Sequence, residues 1–294
     1  MKRFRFWRIW RLLGYLLIGA AIPVGYLIWK SHSIDTWLSG FQPSEMALVQ
    51  YTPEDVIGDL GGMKVHIPSV CAEYVEYDGD PGFGERRKGA LPERTFDSKL
   101  KSFGVDARFP EMTCKESEGL REDYRRLRQD NPWISIGINA GSIYPKLGVK
   151  AADYREALVI ESINKPSEFW FLNYEKVPGL IFGLDAYVVT GMDPNLGKTA
   201  RDSERVNDVF VGRAARGAAD TYITCGKTYV LGGVSSCSMG FSMEPKAKVY
   251  VDVRFARSRL SSWRDIRQST IDFLMGFKVS EAGLKLSRSQ GSGY

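Results

Sequence analysis

The chain has 294 residues, 44% hydrophobic and 26% charged, with a formal charge of +5. That charge is unevenly placed: residues 1–30 hold six positive and no negative charges, so residues 31–294 carry −1. A body without a basic surplus lacks the electrostatic footprint of a nucleic-acid-binding protein.

Residues 1–30 read as a cytoplasmic basic segment followed by a transmembrane helix. MKRFRFWRIWR supplies Lys2, Arg3, Arg5, Arg8 and Arg11, and Leu12 to Trp29 then run for 18 residues without a charge. As a helix that run spans roughly 27 Å, about the thickness of a bilayer core. Trp7, Trp10 and Trp29 fall near its ends, where amphipathic rings prefer the interface. The competing reading is a cleaved signal peptide. The uncharged run continues through VGYLIW past the small-residue site at Ala20–Ala21, which favours an uncleaved anchor. After Lys30 no Lys or Arg occurs until Lys64, while Asp35, Glu45, Glu54, Asp55 and Asp59 intervene. The positive-inside bias therefore predicts a single-pass inner-membrane protein, N-terminus cytoplasmic and C-terminal body periplasmic.

Residues 31–57 read as a tether, 58–277 as the folded body (one large domain or two subdomains) and 278–294 as a flexible tail. Strand signals come in chain order at MKVHIP (Met63), AEYVEY (Ala72), WISIGINA (Trp133), ALVIESI (Ala157), EFWFLNY (Glu168), DAYVVTG (Asp185) and TYITCG (Thr221). In KAKVYVDVRF, Val249, Val251, Val253 and Phe255 alternate with Tyr250, Asp252 and Arg254, the pattern of a half-buried strand. One helix is predicted in GLREDYRRLRQD, with Leu120, Tyr124 and Leu127 in a stripe and Asn131-Pro132 as its stop. A second is predicted in SSWRDIRQSTIDFLMGF. Ser261 or Ser262 would cap it, Trp263, Ile266, Thr270, Phe273 and Phe277 would face inward, and Arg264, Asp265 and Arg267 would face solvent. No internal repeat is evident. The fold class expected is α+β: a β-rich body of mainly antiparallel strands with a few helices, after one N-terminal transmembrane helix.

Four cysteines in an oxidising compartment suggest two disulfides, with three connectivities open. Cys225 and Cys237 bracket GKTYVLGGVSS, a hairpin signal, which pairs them and leaves Cys71 with Cys114. No CxxC pair points to zinc.

GMDPNLGKTA resembles a P-loop, but five residues stand between its first glycine and Gly197-Lys198 where four are needed, and Asp-Pro-Asn is turn chemistry. A Ser–His–acid triad would have to use His32 or His66, and no G-x-S-x-G elbow is present. Neither catalysis nor a cofactor is expected. DGDPGFGERRKG, from Asp78 to Gly89, keeps three readings: a calcium loop, an exposed connection, or a recognition loop for a protein partner. Asp78, Asp80, Phe83, Glu85, Arg86, Arg87 and Lys88 are the candidate partner-binding residues of the last. An enzyme using Asp78 and Asp80 is a further alternative.

AEYVEYDGDPGFGERRKG from Ala72, RTFDSKLKSFGVDARFPEM from Arg94 and VYVDVRFARSRLSSWRDIRQSTIDFL from Val249 resemble a family of anchored or exported bacterial proteins associated with type VI secretion loci. These are immunity proteins against antibacterial phospholipase effectors. The resemblance extends over roughly Leu60 to Phe277. It implies a non-catalytic protein that binds a cognate lipase effector encoded by a neighbouring gene, with no partner-contact residues carried over. A secretion adaptor or envelope-assembly component of the same locus shares the same features.

Overall fold

A computed structural model of the chain describes residues 55–82, 84–86, 89–126, 130–144, 148–165, 173–195, 197–199, 206–226 and 235–280. The predicted anchor, the tether up to residue 54 and residues 281–294 lie outside the described residues. Among the described residues no helix is long and apolar enough to cross a membrane.

The described part opens with a hairpin of β1 (Val56–Leu60) and β2 (Met63–Ile67), two residues ahead of the expected body boundary. Nine further strands form one antiparallel sheet: β3 (Glu73–Tyr77), β4 (Leu100–Arg108), β5 (Trp133–Asn139), β6 (Tyr174–Ile181), β7 (Leu184–Val189), β10 (Asn207–Arg213), β11 (Ala219–Gly226), β12 (Ser236–Ser242) and β13 (Tyr250–Ala256). Their order across the sheet is β3-β4-β5-β13-β12-β11-β10-β7-β6. The short β8 (Met192–Asp193) and β9 (Lys198–Thr199) pair only with each other. An α+β body with a large antiparallel sheet and few helices is thus the architecture.

Alternation along each strand sorts the sheet into two faces. On the first face lie Phe103 and Val105 of β4, Ile134, Ile136 and Ile138 of β5, Val251 and Val253 of β13, and Met239 and Phe241 of β12, all buried in the main core. α3 (Trp263–Gly276) and the β1–β2 hairpin close over this face: Ile266 and Leu274, like Leu60, Val65 and Ile67, are fully buried in the same core. Burying each such aliphatic side chain contributes about 1.5–3 kcal/mol.

Among the described residues, the second face is only partly covered. α2 (Ala151–Asn164) packs Ala152 and Val159 against Tyr187, Val209, Val211 and Tyr222, above β7, β10 and β11. This helix corrects the expected strand ALVIESI. Its buried positions Ala152, Glu156 and Val159 have helical spacing, but the stripe contains a carboxylate and the outer face carries Leu158, Ile160 and Ile163, which obscures the period. EFWFLNY falls mostly outside the described residues; its Tyr174 begins β6.

α1 (Glu118–Arg125) forms within the expected segment behind its N-cap Ser117, whose hydroxyl accepts from the Leu120 N–H at 3.3 Å. It is capped at Arg126, ahead of the expected stop at Asn131-Pro132, and Leu127 lies outside the described residues. At α3 the expected serine cap is absent. Ser262 stands at the N-cap position but follows a 3-10 turn over Arg257–Ser262 and makes no side-chain cap. The face expected to be solvated is also engaged: Arg264 donates to Phe182 O and Gly183 O, and Arg267 pairs with Asp220 at 3.2 Å.

Candidate functional site

Both expected disulfides are formed. Cys71 is bonded to Cys114 across 43 residues, and Cys225 to Cys237 across 12. The second pair lies directly opposite across β11 and β12.

The loop after β3 is held by its aspartates. Asp78 accepts from the Ser142 N–H at 3.1 Å, beside Gly141. Asp80 accepts from the Tyr77 N–H at 2.9 Å and from Arg94 at 2.5 Å, while that guanidinium lies 4.0 Å from the centroid of the Tyr77 ring. Glu85 accepts from the Gly82 N–H at 3.0 Å, and Arg86 is exposed. Phe83, Arg87 and Lys88 lie outside the described residues. Among the described residues no three carboxylate, histidine or cysteine side chains are grouped to hold a metal ion. Asp78 and Asp80 thus tie this loop to Ser142, Tyr77 and Arg94.

His66 pairs with Asp55 at 2.8 Å on an exposed part of β2, and Asp55 also accepts from the Ser69 N–H. The backbone bond first, and the histidine second, hold the Asp55 carboxyl below its usual range. In GMDPNLGKTA, β8 pairs with β9 and Asp193 accepts from the Asn195 N–H at 2.9 Å, while Leu196 and Ala200 lie outside the described residues.

The open part of the sheet's second face is built differently. Antiparallel pairing sets Gly104 opposite Gly137, Gly137 opposite Asp252, and Asp252 opposite Gly240. This row crosses β4, β5, β13 and β12 with one carboxylate among three glycines. Two residues along, Asp106, Ser135, Arg254 and Ser238 form one bank. On the other side stand Ser102, Asn139, Tyr250 and Ser242. Gly104, Gly137 and Asp252 of the row, with Asp106, Ser135 and Arg254 of the first bank, line a groove of about 380 Å³, walled at one end by Tyr74 and Tyr124.

The β3 end of the groove is tightly paired. The Cys71–Cys114 bridge brings the following Lys115 above β3 and β4, where it pairs with Glu73 and, at 2.8 Å, with Asp106. Burial disfavours the Lys115 ammonium, but its bonds to Asp106 and Glu73 outweigh this and hold its pKa above the usual lysine value. Ser135 also donates to Asp106 at 2.6 Å. Lys115 lies 4.4 Å from the centroid of the Tyr124 ring, and burial, with Asp106 next, pushes that phenol up to about 12. Tyr74 projects from a bulge in β3 with φ +53 and is 85% exposed.

The other end is not paired. The Arg254 guanidinium and the Asn139 amide make no side-chain hydrogen bond among the described residues. One Asp252 oxygen accepts from Ser238 at 2.6 Å, and the other has no partner among the described residues. Tyr250 is 3% exposed; its hydroxyl reaches over Gly240 and has no partner among the described residues. A buried hydroxyl left so costs about 1–3 kcal/mol.

The sequence reading missed this groove, although its signal was present. Ser102-x-Gly104-x-Asp106, Ser135-x-Gly137-x-Asn139 and Ser238-x-Gly240-x-Ser242 repeat one pattern in three strands. Each reduces the outward positions of its strand to small or polar groups.

No protein-family model matches the chain, and no curated protein does. Among solved structures it is similar to an immunity protein of the Stenotrophomonas maltophilia type IV secretion system. The identity is 17%, 78% of this chain and 94% of that one are covered, and the TM-score is 0.44.

Proposed function

We propose that the chain is a membrane-anchored periplasmic immunity protein that binds and neutralises a toxin delivered by a secretion system. The finer reading, taken from the sequence resemblance, is a type VI secreted antibacterial phospholipase encoded by a neighbouring gene. The observation that carries the binding role is the open half of the sheet. Its groove presents the Arg254 guanidinium and one Asp252 oxygen, neither with a side-chain partner among the described residues. Two disulfides accord with an oxidising compartment. Neutralisation requires no chemistry of the chain's own; occupying a cleft or holding a lid is enough. An anchor on the membrane that the toxin attacks would raise the inhibitor's local concentration.

Two experiments test this reading. An alkaline phosphatase fused after Tyr294 is expected to be active, and an inactive fusion rejects the exported topology. Co-expression with the neighbouring effector, directed to the periplasm, is expected to restore growth and give a complex that survives purification. Absence of both protection and complex rejects the immunity role. Deletion that stops effector secretion without self-poisoning assigns the adaptor role instead.

A further inference from the structure

We propose that the Gly104–Gly137–Asp252 row seats an extended main-chain segment of a protein partner; this rests on the toxin-binding reading and locates where the toxin is held. Glycine in the middle of a strand weakens it and is retained where something requires the missing side chain. For several glycines the molecule itself supplies the reason. A Cβ at Gly58 would meet Ser98 O at 2.7 Å, and one at Gly212 would meet the Trp263 ring at 3.0 Å. Gly104 and Gly137 have no such reason. Neither adopts a positive φ, and at each the nearest atom to an added Cβ is 3.7 Å away, an ordinary contact. The remaining physical reason is close approach of a chain from outside.

A second observation is independent of the glycines. The Tyr250 hydroxyl occupies the place of a side chain at Gly240, the next position in the row after Asp252, and it is buried without a partner. Arg254 and Asp252 line the groove, and neither the guanidinium nor the second Asp252 oxygen has a side-chain partner among the described residues. These free groups offer donors and acceptors together, and their formal charges cancel. A phosphate or a metal ion would use only one sign. A polypeptide main chain alternates N–H and C=O and uses both. Tyr74 and Tyr124 then flank the segment with aromatic surface for its side chains.

The test uses the full chain in detergent micelles, as wild type and as Gly137→Val and Arg254→Ala. Valine suits a strand and its Cβ would make only an ordinary contact here, 3.7 Å from Asp252 O, so Gly137→Val is expected to keep or raise Tm. It is also expected to weaken binding of the neighbouring effector at least about tenfold. Arg254→Ala, which removes an unpaired exposed group, is expected to leave Tm unchanged and weaken binding severalfold. If wild type protects and both variants bind equally well, the groove proposal is overturned and the immunity reading stands. If wild type neither protects nor binds the effector, the immunity reading falls and a phage-displayed linear-peptide library decides the groove. Peptides enriched on wild type and lost on Gly137→Val sustain the groove, and no enrichment overturns it. A Tm drop in Gly137→Val with unchanged binding by Arg254→Ala also overturns it, since the glycine would then be structural.

Discussion

Lys115 neutralises two carboxylates, Glu73 and Asp106, with its side chain mostly buried between them. Lys115→Met keeps the apolar stem but leaves both acids facing each other, and is expected to cost about 1–3 kcal/mol in urea unfolding. No change would show that solvent already screens the pair. Gly141 makes a similar argument at the backbone. At φ +50, a Cβ there would meet Asp78 Oδ2 at 2.8 Å and Leu100 O at 3.0 Å. Gly141→Ala is expected to destabilise by about 1–3 kcal/mol, measured by the same unfolding experiment. Asp78 was visible in the sequence as a candidate contact residue, yet its hydrogen-bond partner, Ser142, lies 64 positions away. Sequence shows that an aspartate lies in a loop, but not which distant N–H it caps.

At the scale of elements, α2 is fastened to the sheet edge by charge as well as by apolar contact. Arg213 of β10 bonds Glu156 of α2 and, at 2.6 Å, Asp185 of β7, which also pairs with Lys176 of β6 at 2.6 Å. Burial would raise the Asp185 pKa, but the bonds to Lys176 and Arg213 outweigh it and hold the carboxyl below its ordinary 3.8. A carboxyl with a folded pKa below its unfolded one stabilises the fold above the unfolded value and loses that contribution as pH falls through the folded one. Wild type is therefore expected to lose stability relative to Asp185→Asn as pH falls below about 4 in urea titrations. A gap independent of pH there would remove Asp185 from the account. The same pairing explains why α2 was misread: Glu156 is acceptable in a buried stripe only because Arg213 and Tyr187 meet it, 57 and 31 positions away. By contrast, β13 was legible because its apolar and polar residues alternate strictly over one buried face.

For the whole molecule, the two disulfides close loops of different length, and chain entropy ranks them. The 43-residue separation of Cys71 and Cys114 should contribute about 4 kcal/mol and the 12-residue separation of Cys225 and Cys237 about 3. Replacing both cysteines of the first pair by alanine is expected to lower Tm more than replacing the second, and a reversed order would show that native-state geometry governs instead. The β-rich class and both pairings were readable from alternation and cysteine spacing. The groove was not, because it exists only once the register sets four strands side by side. The sheet order carries a last consequence, for the time at which the protein becomes competent. β3 to β5 and β6 to β12 meet only through β13, the last strand among the described residues. Until Tyr250–Ala256 emerges there are two unjoined half-sheets, and Gly137 has no Asp252 beside it. For a chain threaded N-terminus first across a membrane, as proposed, the cytoplasm then holds no finished copy. On that proposal, the row that would seat a partner is complete only after Tyr250–Ala256 has crossed.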